Sequence, residues 1–452
     1  MEPLLIISAD NHAGGRIEDY AQFIEARYRD DLQALQKEQD DFQRVLGRFS
    51  QFSDDDLAIM DEREAIRSGG RFGAWDVARR IKEMDDEGVV AEVVHAGHQE
   101  AVMPFFSQLN RRYSADLRWA GVKAYHRWFA SCAAQGDGRL VGVGDPGPCL
   151  DLQETVRELH WLADNHFVSV SVPGVIAAEP LPPLYDLYYD PFWQTCADRG
   201  LVLSVHAGWG APQGIFFEYA DHLDASSGGE ADLMEFQKQF RDSEESPFAL
   251  TIEPRRVLWQ LILGGVFDRH PTLKLAFTEI RADWVPATLQ YLDEKFAREK
   301  VSTKLKPSEY FAKHCYVTPS SPRANELAML DAIGSDRFLF GVDYPHPEST
   351  WPNTHDWIHS ALDGLSEENI RKVLGFNAIE CYGLDRPKMT QLAARIGPSF
   401  GSIFSDSRVD PRRLDHFNMR AGFQAPAEEV DRALLDVTVN KDLEKVGELL
   451  KA

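Results

Sequence analysis

Short, mostly apolar runs recur along this chain, and several end in a polar residue. They span 4–9, 89–95, 139–143, 167–172, 201–206, 273–279, 315–318 and 338–342. Continuous apolar runs of this length predict strands buried on both faces, as in a parallel sheet. Amphipathic stretches with helical periodicity lie between most of them: 77–87, 112–134, 152–164, 191–199, 255–269, 284–298, 325–332 and 367–381. Alternation of this kind predicts an α/β fold with helices covering the sheet. Eight repeats favour closure into a (β/α)8 TIM barrel. A doubly wound open sheet is the competing architecture. No Gly-x-Gly-x-x-Gly turn follows an early strand, so the dinucleotide fingerprint is missing.

Three segments exceed the minimal repeat and predict a distorted barrel. The insertion 14–75 follows strand one, is rich in Asp, Glu, Arg and Gln, and has helical character around 19–49. It leaves the catalytic end of the strand and is expected to fold over the site. The second segment, 208–254, follows strand five and carries Asp221, His222 and the acidic run 242–245. It reads as a long loop, either a lid or a subunit contact. Residues 385–452 form a C-terminal extension, rich in Pro, Ser and Arg up to 411 and helical over 428–450. The catalytic domain is therefore placed at 1–384.

Composition narrows the partners. The formal net charge is -24 over 452 residues. Such a surface repels phosphate backbones and anionic membranes, so a small-molecule substrate is expected, without nucleic acid or membrane. The five cysteines form no Cys-x-x-Cys pair. They read as buried thiols in a reducing compartment. The N-terminus has no basic n-region, and no apolar stretch is long enough to span a bilayer. A cytoplasmic protein is expected.

The candidate chemistry sits at strand ends. Asp10 and His12 lie two apart on or just past the first strand, so both face one side, and Asn11 faces the other. His206 ends the fifth strand and Asp343 ends the eighth. Carboxylate and imidazole donors on separate strands are how a barrel assembles a catalytic metal site. Each residue also has a plain role open to it: Asp10 and Asp343 as caps, His12 as a loop histidine, His206 as a core hydrogen-bonder.

As a set, further segments carry a family resemblance. They are Ser8 to His12, Trp75-Asp76, Met84-Asp85, Gly88-Val89, Arg139 to Val143, Tyr189 to Trp193, His206-Ala207-Gly208, Phe267 to Pro271, Gly341 to His346, Asn377-Ala378 and Tyr382 to Leu384. With them the chain resembles amidohydrolase-related proteins of the aminocarboxymuconate-semialdehyde decarboxylase type, over about residues 6 to 384. The resemblance implies one divalent metal ion, usually zinc and sometimes manganese, with His12, His206 and Asp343 as ligands. Asp10 stands where relatives often carry His or Glu. It also implies a homo-oligomer, a dimer or larger.

One position departs from the family. Where the decarboxylases usually place a His-x-Gly element, this chain has Glu279, followed by Arg281. A glutamate there can ligate metal, act as a general base or sit behind the ligands. The departure favours a hydrolase of an amide, ester or related carbonyl group, acting through metal-activated water. Asp343 or Glu279 would take a proton and His346 would protonate the leaving group. The second reading is non-oxidative decarboxylation of an aromatic or unsaturated carboxylic acid. A third is a non-catalytic binding protein on the same fold. His95, Trp209 and Arg281 are the expected substrate contacts. Arg281 has the alternative of pairing with Glu279 or Asp283.

Overall fold

The computed structural model describes residues 2–46, 52–97, 103–105, 113–174, 181–209, 252–404, 409–420 and 432–449. Among the described residues, seven parallel strands run in chain order: β1 (Ile6–Ala13), β2 (Val89–Ala96), β3 (Leu140–Gly144), β4 (Phe167–Ser171), β5 (Val202–His206), β6 (Leu275–Thr278) and β7 (Cys315–Thr318). The expected eighth strand completes the circle through isolated bridges. Phe338 and Gly341 pair with Val317 and Ser320 on one side, and Tyr344 pairs with Asn11 on the other. Backbone hydrogen bonds secure both seams: Leu339 N to Val317 O at 2.8 Å, Ala9 N to Phe340 O at 2.8 Å and His12 N to Tyr344 O at 2.7 Å. The result is the distorted (β/α)8 barrel that the apolar runs predict.

The bridges are discontinuous because β1 itself is irregular. Its register against β2 shifts between Ser8 and Asn11. Ser8 Oγ accepts the Val342 N–H at 2.8 Å, and Asn11 Nδ2 donates to Ser8 O at 3.0 Å. Polar side chains here replace ladder hydrogen bonds and so satisfy the kinked backbone. Gly341 is required at this seam: a Cβ on it would lie 2.8 Å from the Cβ of Asp10.

Arg80 fixes the mouth of the barrel from behind. It lies in the helix Val77–Glu87 and is 2% exposed. Its Nε donates to Glu92 Oε2 at 2.5 Å, its Nη1 donates to His12 O at 2.8 Å, and its guanidinium lies 5.0 Å over the Tyr344 ring. One side chain thus ties β1, β2 and the closing segment. Arg80→Met leaves the Glu92 carboxylate buried and unpaired, which costs about 3–5 kcal/mol. Urea denaturation checks this, and a loss below about 1 kcal/mol would show that the clamp is dispensable.

The insertion 14–75 contains the helices Arg29–Leu46 and Asp54–Met60. Its end packs on the loop after the closing segment, where Arg71 Nε donates to Pro345 O at 3.2 Å. Most of the long loop after β5, including Asp221, His222 and residues 242–245, lies outside the described residues. In the extension, the Pro- and Arg-rich stretch forms a helix, Arg386–Ile396, with Asp385 as its N-cap and proline in its first turn. That is the one helical position where proline costs nothing. All five cysteines are buried free thiols. Among the described residues, no helix is long and apolar enough to cross a membrane.

Candidate metal centre and substrate cavity

The strand ends converge as their sequence positions require. Asp10 and His12 point the same way from β1, with His12 Nε2 3.8 Å from Asp10 Oδ1. His12 Nε2 is 3.4 Å from Asp343 Oδ1, and His206 Nε2 is 3.6 Å from Asp10 Oδ1 and 3.0 Å from Glu279 Oε2. Asn11 is turned away, donating to Ser8 O and Val93 O. Donor atoms of Asp10, Glu279 and Asp343 lie within 4.8 Å of one another, as do those of His12, His206 and Glu279.

Two of these carboxylates are held by strained backbone. Glu279 has φ 56° and Asp343 has φ 66°. Left-handed conformations at residues other than glycine cost roughly 1–3 kcal/mol each and cluster at functional sites. Here the positive φ turns each carboxylate inward at the end of its strand.

The burial of these groups makes sense with a cation among them. Asp10 is 0% and Asp343 1% exposed. Among the described residues, neither oxygen of Asp343 accepts a hydrogen bond. A buried carboxylate without partners is costly unless a cation neutralises it. Asp10 Oδ2 accepts from the Ser320 hydroxyl, which leaves Oδ1 for the ion. The donor set therefore fits a divalent metal site, built from three carboxylates and two imidazoles.

Without the ion, protons take its place. Burial, followed by the charges of Glu279, Asp10 and Glu348, pushes the Asp343 carboxyl well above the usual range. Burial alone would lower His206, but Glu279 and Asp10 outweigh it and hold the imidazole well above its ordinary value. Burial would likewise raise Asp10, yet the hydrogen bond and charge of His206, with His95 and Ser320, draw it down. His95 falls to about 3, through burial first and His206 second, and is therefore neutral. A metal entering this site must displace the protons of His206 and Asp343. Its affinity is thus expected to rise with pH and to level off above the metal-free values of those groups. Calorimetric titration of Mn²⁺ in buffers of different protonation enthalpy reads the released protons directly. A heat independent of the buffer would rule this out.

A cavity of about 300 Å³ opens over the cluster. His12, His95, His206, Glu279 and His346 form one end, and Trp209, Met103 and Val143 supply apolar wall. The His346 ring lies 4.3 Å from that of His12, and its Nδ1 is 3.4 Å from Glu348 Oε1. Trp209 donates its indole N–H to Val172 O at 3.2 Å, which fixes the ring as wall. Arg281 is placed differently from its expected role. Its Nε and Nη2 lie 3.2 and 3.1 Å from Asp283 Oδ2, and it is not among the residues lining the cavity. The Asp283 pairing explains this, since a buried guanidinium needs a carboxylate more than an open mouth.

Four polar contributors escape the sequence reading. Asp145 follows β3, Ser171 ends β4 and Ser204 lies within β5, all lining the cavity, while Ser320 supports Asp10. The strand-end rule that found His206 also marks Asp145 and Ser171. Ser320 has no sequence signal, because its contact with Asp10 depends on the closing seam.

Comparison with known proteins gives a family and a shared fold. The profile of the amidohydrolase family matches residues 50–384. A 2-amino-3-carboxymuconate-6-semialdehyde decarboxylase from Dictyostelium discoideum is 28% identical over 132 residues, covering 28% of this chain and 36% of that protein's length. Among solved structures, 5-carboxyvanillate decarboxylase from Sphingomonas paucimobilis superposes with a TM-score of 0.56 at 19% identity, covering 84% of this chain and 100% of the other. A dihydroxybenzoic acid decarboxylase from Polaromonas sp. JS666, with bound manganese and the inhibitor 2-nitroresorcinol, gives 0.53 at 19% identity, covering 86% and 99%. At such identities the structural likenesses establish the shared barrel.

Proposed function

The protein belongs to the amidohydrolase family, and from that premise we propose that it is a metal-dependent, non-oxidative decarboxylase of a small aromatic or unsaturated carboxylic acid. The observation that carries this reading is the cavity itself: small, largely apolar, and closed at one end by the carboxylate–imidazole cluster. The expectation of amide or ester hydrolysis is corrected. It rested on Glu279 replacing a histidine, whereas similar solved structures with this barrel are named as decarboxylases of aromatic acids. Glu279 beside His206 is compatible with ligation, so its presence does not require a hydrolytic base. The narrower placement with the aminocarboxymuconate-semialdehyde decarboxylases is supported by the partial match to one of them.

Asp10, His12, His206 and Asp343 would hold the ion, with Glu279 at its edge. An ion held by these residues would supply a Lewis acid for a carboxylate-bearing substrate. The oxygen-rich donor set suits manganese better than zinc. Trp209 and Val143 press on the ring and exclude water. The reaction breaks one C–C bond, releases CO₂ and requires one proton at the vacated carbon. His346 is assigned to deliver it from Nε2, with Glu348 Oε1 3.4 Å from Nδ1 orienting the ring. His95, neutral and facing the cavity, orients a substrate oxygen.

Metal-stripped protein reloaded with Mn²⁺ or Zn²⁺ and given carboxyl-labelled single-ring acids tests the reading. CO₂ release is expected with Mn²⁺ at the higher rate and is lost on chelation. Release unaffected by chelation would remove the metal from the account.

A further inference from the structure

A second cavity, of about 340 Å³, lies at the opposite end of the barrel from the metal cluster. It is lined by Tyr316 near the start of β7, by Arg337 just before the closing segment, and by Lys372, Phe376, Asn377 and Arg386. Two acids, Asp336 and Glu380, stand at its edge. Tyr316 and Asn377 are buried, at 2% and 5% exposure, so the cavity has a closed base.

The two arginines are held, yet not by acids. The Arg337 guanidinium lies 5.0 Å over the Tyr316 ring, and that of Arg386 lies 4.7 Å over the Phe376 ring. Among the described residues, neither has a carboxylate within ion-pair distance. Arg80, Arg139 and Arg256, by contrast, are each tied to one. Stacking on a ring orients a guanidinium and leaves N–H donors along its edge. Asn377 fixes the chain on both sides of Arg337, donating from Nδ2 to Ser335 O and Phe338 O at 2.8 Å each. The nearby acids are engaged elsewhere or face solvent. Asp336 and Glu368 each lie 3.1 Å from Lys372 Nζ, and Glu380 is exposed. Arg386 opens the helix Arg386–Ile396, where the positive end of the helix dipole disfavours a cation. Its placement is explained by an anion that the fold itself does not supply.

We propose that this cavity binds a phosphate monoester of a small molecule, with Arg337 and Arg386 contacting the phosphate oxygens and Lys372 adding charge. Two guanidiniums and an ammonium match a group with three acceptor oxygens and close to two negative charges near neutral pH. A carboxylate offers only two oxygens and one charge. The volume falls within the range of small-molecule pockets. The site stands apart from the metal centre, and the proposal is independent of the reaction assigned there.

The test is calorimetric titration of glycerol 3-phosphate, and of glycerate as its carboxylate counterpart, into Mn²⁺-loaded protein. Saturable binding of the phosphate is expected, at least about tenfold tighter than glycerate and weakening as salt is raised. Arg337→Gln and Arg386→Gln should each weaken it by roughly tenfold or more. Removing Mn²⁺ with a chelator should change the affinity by less than about twofold. No saturable binding, equal affinity for glycerate, or an affinity unchanged in both variants would each overturn the proposal. So would binding that disappears with Mn²⁺, which would place the phosphate on the metal instead. Arg386 is exposed at a helix end, so should Arg337→Gln not fold, Arg386→Gln decides.

Discussion

Asp343→Asn is expected to weaken divalent-metal binding by more than about 100-fold, because loss of a direct ligand exceeds the effect of mutating residues that merely support one. Activity falls with it. The backbone should tolerate the change, since asparagine accepts the left-handed conformation that Asp343 adopts at φ 66°. Metal-free stability should move the other way. The Asp343 carboxyl is raised by burial and by Glu279, Asp10 and Glu348. A carboxyl whose folded value lies above its unfolded value lends stability at low pH and loses it as pH rises. Metal-free wild type should therefore lose this group's contribution to stability on going from acid to neutral pH, and the variant should lack that loss. Thermal unfolding in chelator, beside Mn²⁺ titration, measures both. An asparagine variant that binds Mn²⁺ as wild type does would exclude Asp343 from the ligand set.

Asp442→Ala is expected to release the C-terminal helix Arg432–Leu449 from the barrel. Asp442 is 0% exposed, and its carboxylate accepts from Arg256 Nε and Nη2 at 2.8 Å each, Trp259 Nε1 at 2.8 Å and Gln260 Nε2 at 3.3 Å. All three donors lie in the helix Glu253–Leu263. Truncation leaves their N–H groups facing an empty site and should cost about 3–5 kcal/mol of docking. Limited proteolysis should then cut the extension many times faster while the barrel persists. A digestion rate equal to that of wild type would mean that other contacts hold the helix.

Much of this architecture was legible because buried parallel strands are written as unbroken apolar runs. Each of β1 to β7 falls on such a run, and the polar residue closing it marks the mouth of the barrel. His206 and Asp343 could be found in this way, and the i, i+2 spacing paired Asp10 with His12 while turning Asn11 aside. The closing segment was readable as a strand, but not its reduction to single bridges, which follows from the Ser8–Asn11 kink. Nor could the sequence show that Glu279 and Asp343 turn inward through positive φ. That depends on seams between strands far apart in the chain. The Arg281–Asp283 contact was one of two open readings, and only packing decided between them. Asp442 looks like any surface acid of a polar helix until the helix Glu253–Leu263 is laid beside it. The choice of reaction was the least legible, because one metal cluster serves hydrolysis and decarboxylation alike. The character of the cavity wall and the comparison with solved barrels bear on that choice.

The fate of solvent atoms separates decarboxylation from hydrolysis. Mn²⁺-loaded protein is incubated in D₂O, and in parallel in H₂¹⁸O, with single-ring amino- and hydroxybenzoates and with ester and amide analogues. For decarboxylation, labelled carboxyl carbon is expected to leave as CO₂, one deuterium to appear at the vacated carbon, and the organic product to gain no ¹⁸O. Cleavage of the amides or esters with ¹⁸O entering the acid product, and no CO₂ from the carboxylates, would contradict it.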